Sequence, residues 1–165
     1  MHLFPNIKAK KFSECEHGEL VSIQVRGEIH SALCVADEDG KKELLLLDNP
    51  TPDRNFMLVT ELPDTIVKSY GTDWLLSTSS PMESPSQALS ERGAIAHSTE
   101  GLFIVCSYSS QGFIDPAVCR LDRPGIRVDT GFPKISFADT AWEISIYDPT
   151  TRSSVTLASK AQPAP

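Results

Sequence analysis

Across residues 21–35 the odd positions are Val21, Ile23, Val25, Gly27, Ile29, Ser31, Leu33 and Val35, and the even ones are Ser22, Gln24, Arg26, Glu28, His30, Ala32 and Cys34. Side chains alternate faces along a strand, so this spacing predicts one apolar face and one mixed polar face. Arg26-Gly27 offers a two-residue turn, but that turn sets Val25 against Glu28 and Ile23 against His30, mixing the faces. The pattern therefore predicts one long strand, bent or bulged near Gly27, where a missing side chain permits it. At roughly 3.3 Å per residue it would be about 50 Å long, so it should curve or split between two sheets.

Asp39-Gly40 predicts a tight hairpin, because both residues tolerate the positive φ of a type I′ turn. The implied register sets Glu38 against Lys41, Asp37 against Lys42, Val35 against Leu44 and Leu33 against Leu46, pairing opposite charges and apolar partners. Leu44, Leu45, Leu46 and Leu47 show no alternation, which marks a central strand buried on both faces. Turn formers fill residues 48–55. Residues 56–62, 66–70 and 74–78 read as strands. Residues 77–99 interrupt the pattern and predict a long loop. It carries one short helix, with Ser84 as N-cap, Pro85 as the first helical residue and Gly93 as the left-handed stop.

The β pattern resumes at residues 102–109, an apolar run that predicts a second central strand. Short strands follow at 117–121, 126–128 and 134–138. Trp142, Ile144 and Ile146 alternate with Glu143, Ser145 and Tyr147. A four-residue loop at 149–152 then sets Ile146 against Val155 and Ile144 against Leu157, a second hairpin. Many short strands and almost no helix predict an all-β fold, an antiparallel β-sandwich or barrel with one short helix in a long loop. The expected division is an N-terminal arm at 1–17, anchored through Ile7 and Phe12, a single β domain at 18–158, and a flexible tail at 159–165.

Composition narrows the function classes. The chain has 165 residues, enough for one domain with a sizeable core. Its net charge of −7 disfavours nucleic-acid binding, since an acidic surface repels phosphate. No apolar run approaches the ~20 residues of a membrane helix, and no signal peptide is recognisable at the start. Cys15, Cys34, Cys106 and Cys119 stand far apart without a CxxC pair. They read as reduced thiols, with the cytoplasm as the default compartment.

Candidate chemistry is sparse. Cys15, His17, His30 and Cys34 are zinc-ligand types, but His30 and Cys34 are about 13 Å apart along one strand, too far to share an ion bound at about 2.0–2.3 Å. Asp37, Glu38 and Asp39 lack the spacing of a calcium loop. Ser110 has only the second half of a GxSxG elbow. No metal, no cofactor and no catalytic constellation are expected. The candidate ligand-binding residues are His97, Glu91, Trp74 and His30, with His97 and Glu91 placed by the 77–99 loop. The expected function is a non-enzymatic β-module acting by protein–protein interaction, as a homo-oligomer or with a protein partner. The alternative is a small-molecule-binding β-barrel or small enzyme with its site under the 77–99 loop.

Overall fold

Short apolar runs punctuated by turn residues fold into two antiparallel sheets. The structure, a computed structural model, describes residues 7–161 except 26, 38, 49–54, 61–63, 82–84, 111–112, 123–126, 129–131, 133 and 149–150. The strands are β1 (Lys8–Lys11), β2 (Leu20–Val25), β3 (Glu28–Ala36), β4 (Lys42–Leu46), β5 (Leu58–Val59), β6 (Ile66–Gly71) and β7 (Trp74–Pro81). Then come β8 (Ile95–Ser98), β9 (Gly101–Ser110), β10 (Phe113–Arg120), β11 (Arg127–Val128), β12 (Ile135–Asp148) and β13 (Ser153–Lys160). The first sheet runs β1-β6-β2-β3-β4-β5 and the second β11-β10-β9-β8-β12-β13, with β7 also on β12. At Asp139 the partners are Pro81 on β7 and Ile95 on β8, and at Ile144 they are Leu76 on β7 and Ala158 on β13. Thus β7 lies along one flank of β12, while β8 and β13 share the other.

The stretch 21–35 is two strands, not one. β2 turns back at Arg26-Gly27 into β3, pairing Val25 with Glu28 and Ile23 with His30, and Gly27 takes φ +91°. The expected objection to this turn, mixed faces, fails because both faces of the sheet are covered. Leu20, Leu33, Val35, Leu45 and Leu47 face the core between the sheets. Val21, Ile23, Ala32, Cys34, Leu44 and Leu46 pack on the other side with Phe12, Cys15 and Val67. With apolar cover on both sides, mixing the faces carries little penalty.

The β3–β4 hairpin forms where expected, but one residue out of the expected register. Leu33 pairs with Leu45 and Val35 with Glu43. The cause is the turn. Gly40 N–H donates to Asp37 O at 3.0 Å and Asp37 N–H donates to Lys41 O at 3.0 Å, and Gly40 takes φ +80°. This is a three-residue loop with a left-handed glycine, not a two-residue type I′ turn. The Asp37 carboxylate accepts N–H bonds from Asp39 at 3.0 Å and Lys41 at 2.8 Å, fixing the loop. The expected Glu38–Lys41 pair lies outside the described residues. The four leucines are buried on both faces, as their lack of alternation predicts.

In the second sheet β9 is central, between β8 and β10. The expected 77–99 loop is ladder at both ends: β7 runs on to Pro81, and β8 fills residues 95–98. The serine-rich half of β7 hid the pattern, because Ser77, Thr78 and Ser79 are all exposed. The short helix is a 3₁₀ turn that ends at Ser90, so Gly93, at φ +76°, is not its stop but lies in a following turn closed by Ala94 N–H to Glu91 O at 2.9 Å; Ser84 lies outside the described residues. The expected separate strands at 134–138 and 142–147 are one strand, β12. Its partner β13 sets Ile146 opposite Val155 as expected. A bulge between Ile144 and Ser145 then sets Ile144 opposite Ala158 rather than Leu157. β13 continues to Lys160 opposite Trp142, drawing residues 159–160 out of the expected tail.

The core between the sheets is filled from both: Leu33, Leu45 and Phe56 meet Ile104, Trp142 and Ile144. Phe56 and Trp142 pack edge to face with ring centroids 5.8 Å apart. The helical turn covers the second sheet's outer side through Ala88 and Leu89 against Phe103, Val105 and Ala138. Residues 8–11 join the first sheet against β6. Lys10 Nζ meets Glu19 Oε1 at 2.6 Å, and Ser69 Oγ donates to Glu19 Oε2 at 3.0 Å. Glu19 is therefore buried with partners at both oxygens, as a buried carboxylate requires.

Candidate functional site

The start of β3 and the end of β13 meet at one end of the molecule, where Ser31 Oγ donates to Leu157 O at 2.7 Å. Beyond that contact the sheets part into an open groove of about 560 Å3, lined by Ile29, His30, Asp48, Asn55, Phe56 and Lys160 among others. His30 Nδ1 stands 3.2 Å from Asp48 O. A carbonyl only accepts, so Nδ1 carries the proton in this contact, and Asp48 Oδ1 stands 3.7 Å from the same nitrogen. Asp48 Oδ1 accepts the Ser31 N–H at 2.7 Å, holding the aspartate beside the ring. Asn55 Oδ1 is buried with no hydrogen-bond partner among the described residues. Lys160 Nζ is tied to Glu91 Oε1 at 2.6 Å and Arg92 O at 2.7 Å and lies 5.8 Å from the Phe56 ring centre.

This arrangement suits binding better than bond making. The Ser31 hydroxyl is spent on a backbone carbonyl, and the Lys160 charge is balanced by Glu91. What remains is the His30 ring, an amide oxygen without a partner among the described residues and the apolar faces of Ile29 and Phe56. A second groove of about 500 Å3 runs over Ser77, Ser79, Trp142, Glu143 and Lys160. A third, of about 350 Å3, includes His17, Trp74 and Asp122.

The four candidate binding residues fall in three places. His30 lines the first groove, and Glu91 reaches that groove's edge through its ion pair with Lys160. His97 stands on β8 with Nε2 3.1 Å from Asp139 Oδ2. Trp74 donates Nε1–H to Gly18 O at 2.8 Å and packs on the core. Neither His97 nor Glu91 lines any of these grooves. Sequence reasoning passed over Asp48, Asn55 and Lys160. For Lys160 no signal existed, since the bulge at Leu157 breaks the alternation that Val155 and Leu157 begin.

Cys15 and Cys34 are not poised as nucleophiles. Burial, reinforced by nearby Glu19, pushes Cys15 up to about 11. Burial, with Cys15 alongside, pushes Cys34 up to about 12. Neither forms a reactive thiolate near neutrality. Cys106 and Cys119 are buried, with their Sγ atoms 3.5 Å apart. Among the described residues no group of three or more His, Cys, Asp or Glu side chains could hold a metal. No helix among them is long and apolar enough to cross a membrane. No family model matches the chain, and no curated protein or solved structure was found to resemble it.

Proposed function

We propose that this chain is a non-enzymatic β-module that acts by binding a protein surface, with its own copy as first partner. The observation carrying this reading is the quality of its exposed apolar surface. Phe113 and Ile114, adjacent on β10, are 73% and 51% exposed, and Phe137 on β12 is 71% exposed. Leu75 and Tyr147, diagonal neighbours across β7 and β12, are 53% and 52% exposed. Side chains of this kind anchor interfaces. Sedimentation of the full chain from low to high micromolar concentration tests the self-association. A concentration-dependent dimer or larger closed assembly is expected, and a monomer at every concentration contradicts it.

A second reading, a small-molecule site in the His30 groove, is favoured by the Asn55 oxygen, which has no partner among the described residues. It predicts extra mass on the natively ionised protein that is lost on denaturation. Bare chain mass in both measurements removes it.

A further inference from the structure

A bare sheet edge is a template for another strand, and folded proteins blunt it with charge, proline, a bulge, shortness or cover. The edges of this molecule divide on that test. β1 is Lys-Ala-Lys-Lys, so a strand added there meets three ammonium groups. β5 and β11 have two residues each, and Met57 beside β5 is bridged to Ser107 on β9. β13 is bulged against β12, and its Leu157 carbonyl is taken by the Ser31 hydroxyl.

β7 has none of these guards over most of its length. It is eight residues, Trp-Leu-Leu-Ser-Thr-Ser-Ser-Pro, without a charge. Its register against β12 is unbroken from Trp74–Ile146 to Asp139–Pro81. Among the described residues no strand pairs with its other flank. Leu75, Ser77, Thr78 and Ser79 are exposed. Pro81 protects only the last position.

We propose that β7 is the surface through which two copies of this chain associate, antiparallel strand against strand across a two-fold axis. This rests on the self-association reading above and names its interface. The reason for a second copy is charge. Two chains of net charge −7 repel over most of their surfaces. At β7 no charges oppose each other, and antiparallel self-pairing sets an uncharged, serine-rich strand against its own copy. A two-fold interface must be self-complementary, and this edge meets that condition. Seven residues before the proline extend over about 23 Å of strand, and the second sheet would continue from one copy into the other.

The test is sedimentation velocity of the full chain with Ser77→Lys and Ser79→Lys combined, both at exposed positions. Leu75→Glu serves as an independent second variant, and Ser154→Lys on β13 as the control. The proposal predicts a dimer for the wild type and the control. It predicts dimer affinity weaker by roughly tenfold or more for the double-lysine and Leu75→Glu variants, with unchanged thermal melts. A wild-type dimer that both β7 variants leave intact overturns the edge assignment and leaves self-association standing. A wild type that is monomeric at every concentration overturns both.

Discussion

The β2–β3–β4 region and the β7–β12–β13 region are both antiparallel three-strand units, yet they treat solvent differently. In the first, apolar side chains fill both faces: Leu33 and Leu45 look toward the second sheet, while Ile23, Ala32 and Leu44 look toward Phe12 and Cys15. In the second, Ile144 and Leu76 pack inward while Leu75, Glu143 and Tyr147 stand in solvent. Alternation encodes register only where one face is wet, because a one-residue slip then moves the apolar set into water. Where both faces are dry the code is degenerate, and turn chemistry sets the register instead.

Removing the cover of the first region should have the largest effect. Phe12 is 2% exposed and plugs the outer face of that sheet. Phe12→Ala should destabilise by about 3–5 kcal/mol in urea unfolding. A loss below ~1 kcal/mol would mean that the outer cluster contributes little. Next is Gly93, where an added Cβ would lie 2.3 Å from the Phe56 ring at a φ of +76°. Gly93→Ala should cost about 1–3 kcal/mol from overpacking, with roughly 1–2 kcal/mol more from the left-handed backbone. Gly40→Ala meets nothing within 4 Å and should cost the backbone term alone. Equal losses at the two sites would refute the close approach of Phe56 and the Gly93 turn.

The Lys10–Glu19–Ser69 network gives a pH signature. Burial raises the Glu19 pKa, but the Lys10 and Ser69 hydrogen bonds outweigh it and hold the carboxyl below its ordinary value. A depressed carboxyl contributes stability that is present above its unfolded value and lost as pH falls through the folded one. Lys10 is the mirror case. Burial lowers it, Glu19 more than restores it, and its contribution is lost only at alkaline pH, as pH rises through the raised value. Urea midpoints should therefore be flat around neutrality and fall on acidification below the carboxylate range. Glu19→Gln should cost about 1–3 kcal/mol near neutrality and flatten the acid limb. An acid limb of the same depth in the variant would place the titration elsewhere. The smallest effect is at the exposed edge: Leu75→Ala should stay within about 0.5 kcal/mol of wild type in monomer stability.

Much of the fold was legible because its cues are local. The four consecutive leucines announced a strand buried twice over. Pro85 announced the start of a helical turn, and Ile146 opposite Val155 came from alternation on a half-wet face. The misreadings are physical too. Gly27 looked like a bend because face mixing was treated as costly, which holds only if one face is wet. The Asp37 carboxylate caps a three-residue loop that Asp39-Gly40 alone does not disclose. The bulge at Leu157 belongs to the sheet and not to the sequence pattern. The groove was legible only at His30, because Asp48, Asn55 and Lys160 converge from segments more than a hundred residues apart in the extreme case. The β7 edge was hidden among serines and threonines that read as loop.

Amide hydrogen exchange, followed by mass spectrometry at low and high micromolar protein, tests the contrast between the two regions most directly. β3, paired on both flanks, should exchange slowly at either concentration. The amides of β7 that point away from β12 should exchange fast in dilute protein and become protected as concentration rises. β7 exchange that does not change with concentration would contradict an open edge that copies of this chain close.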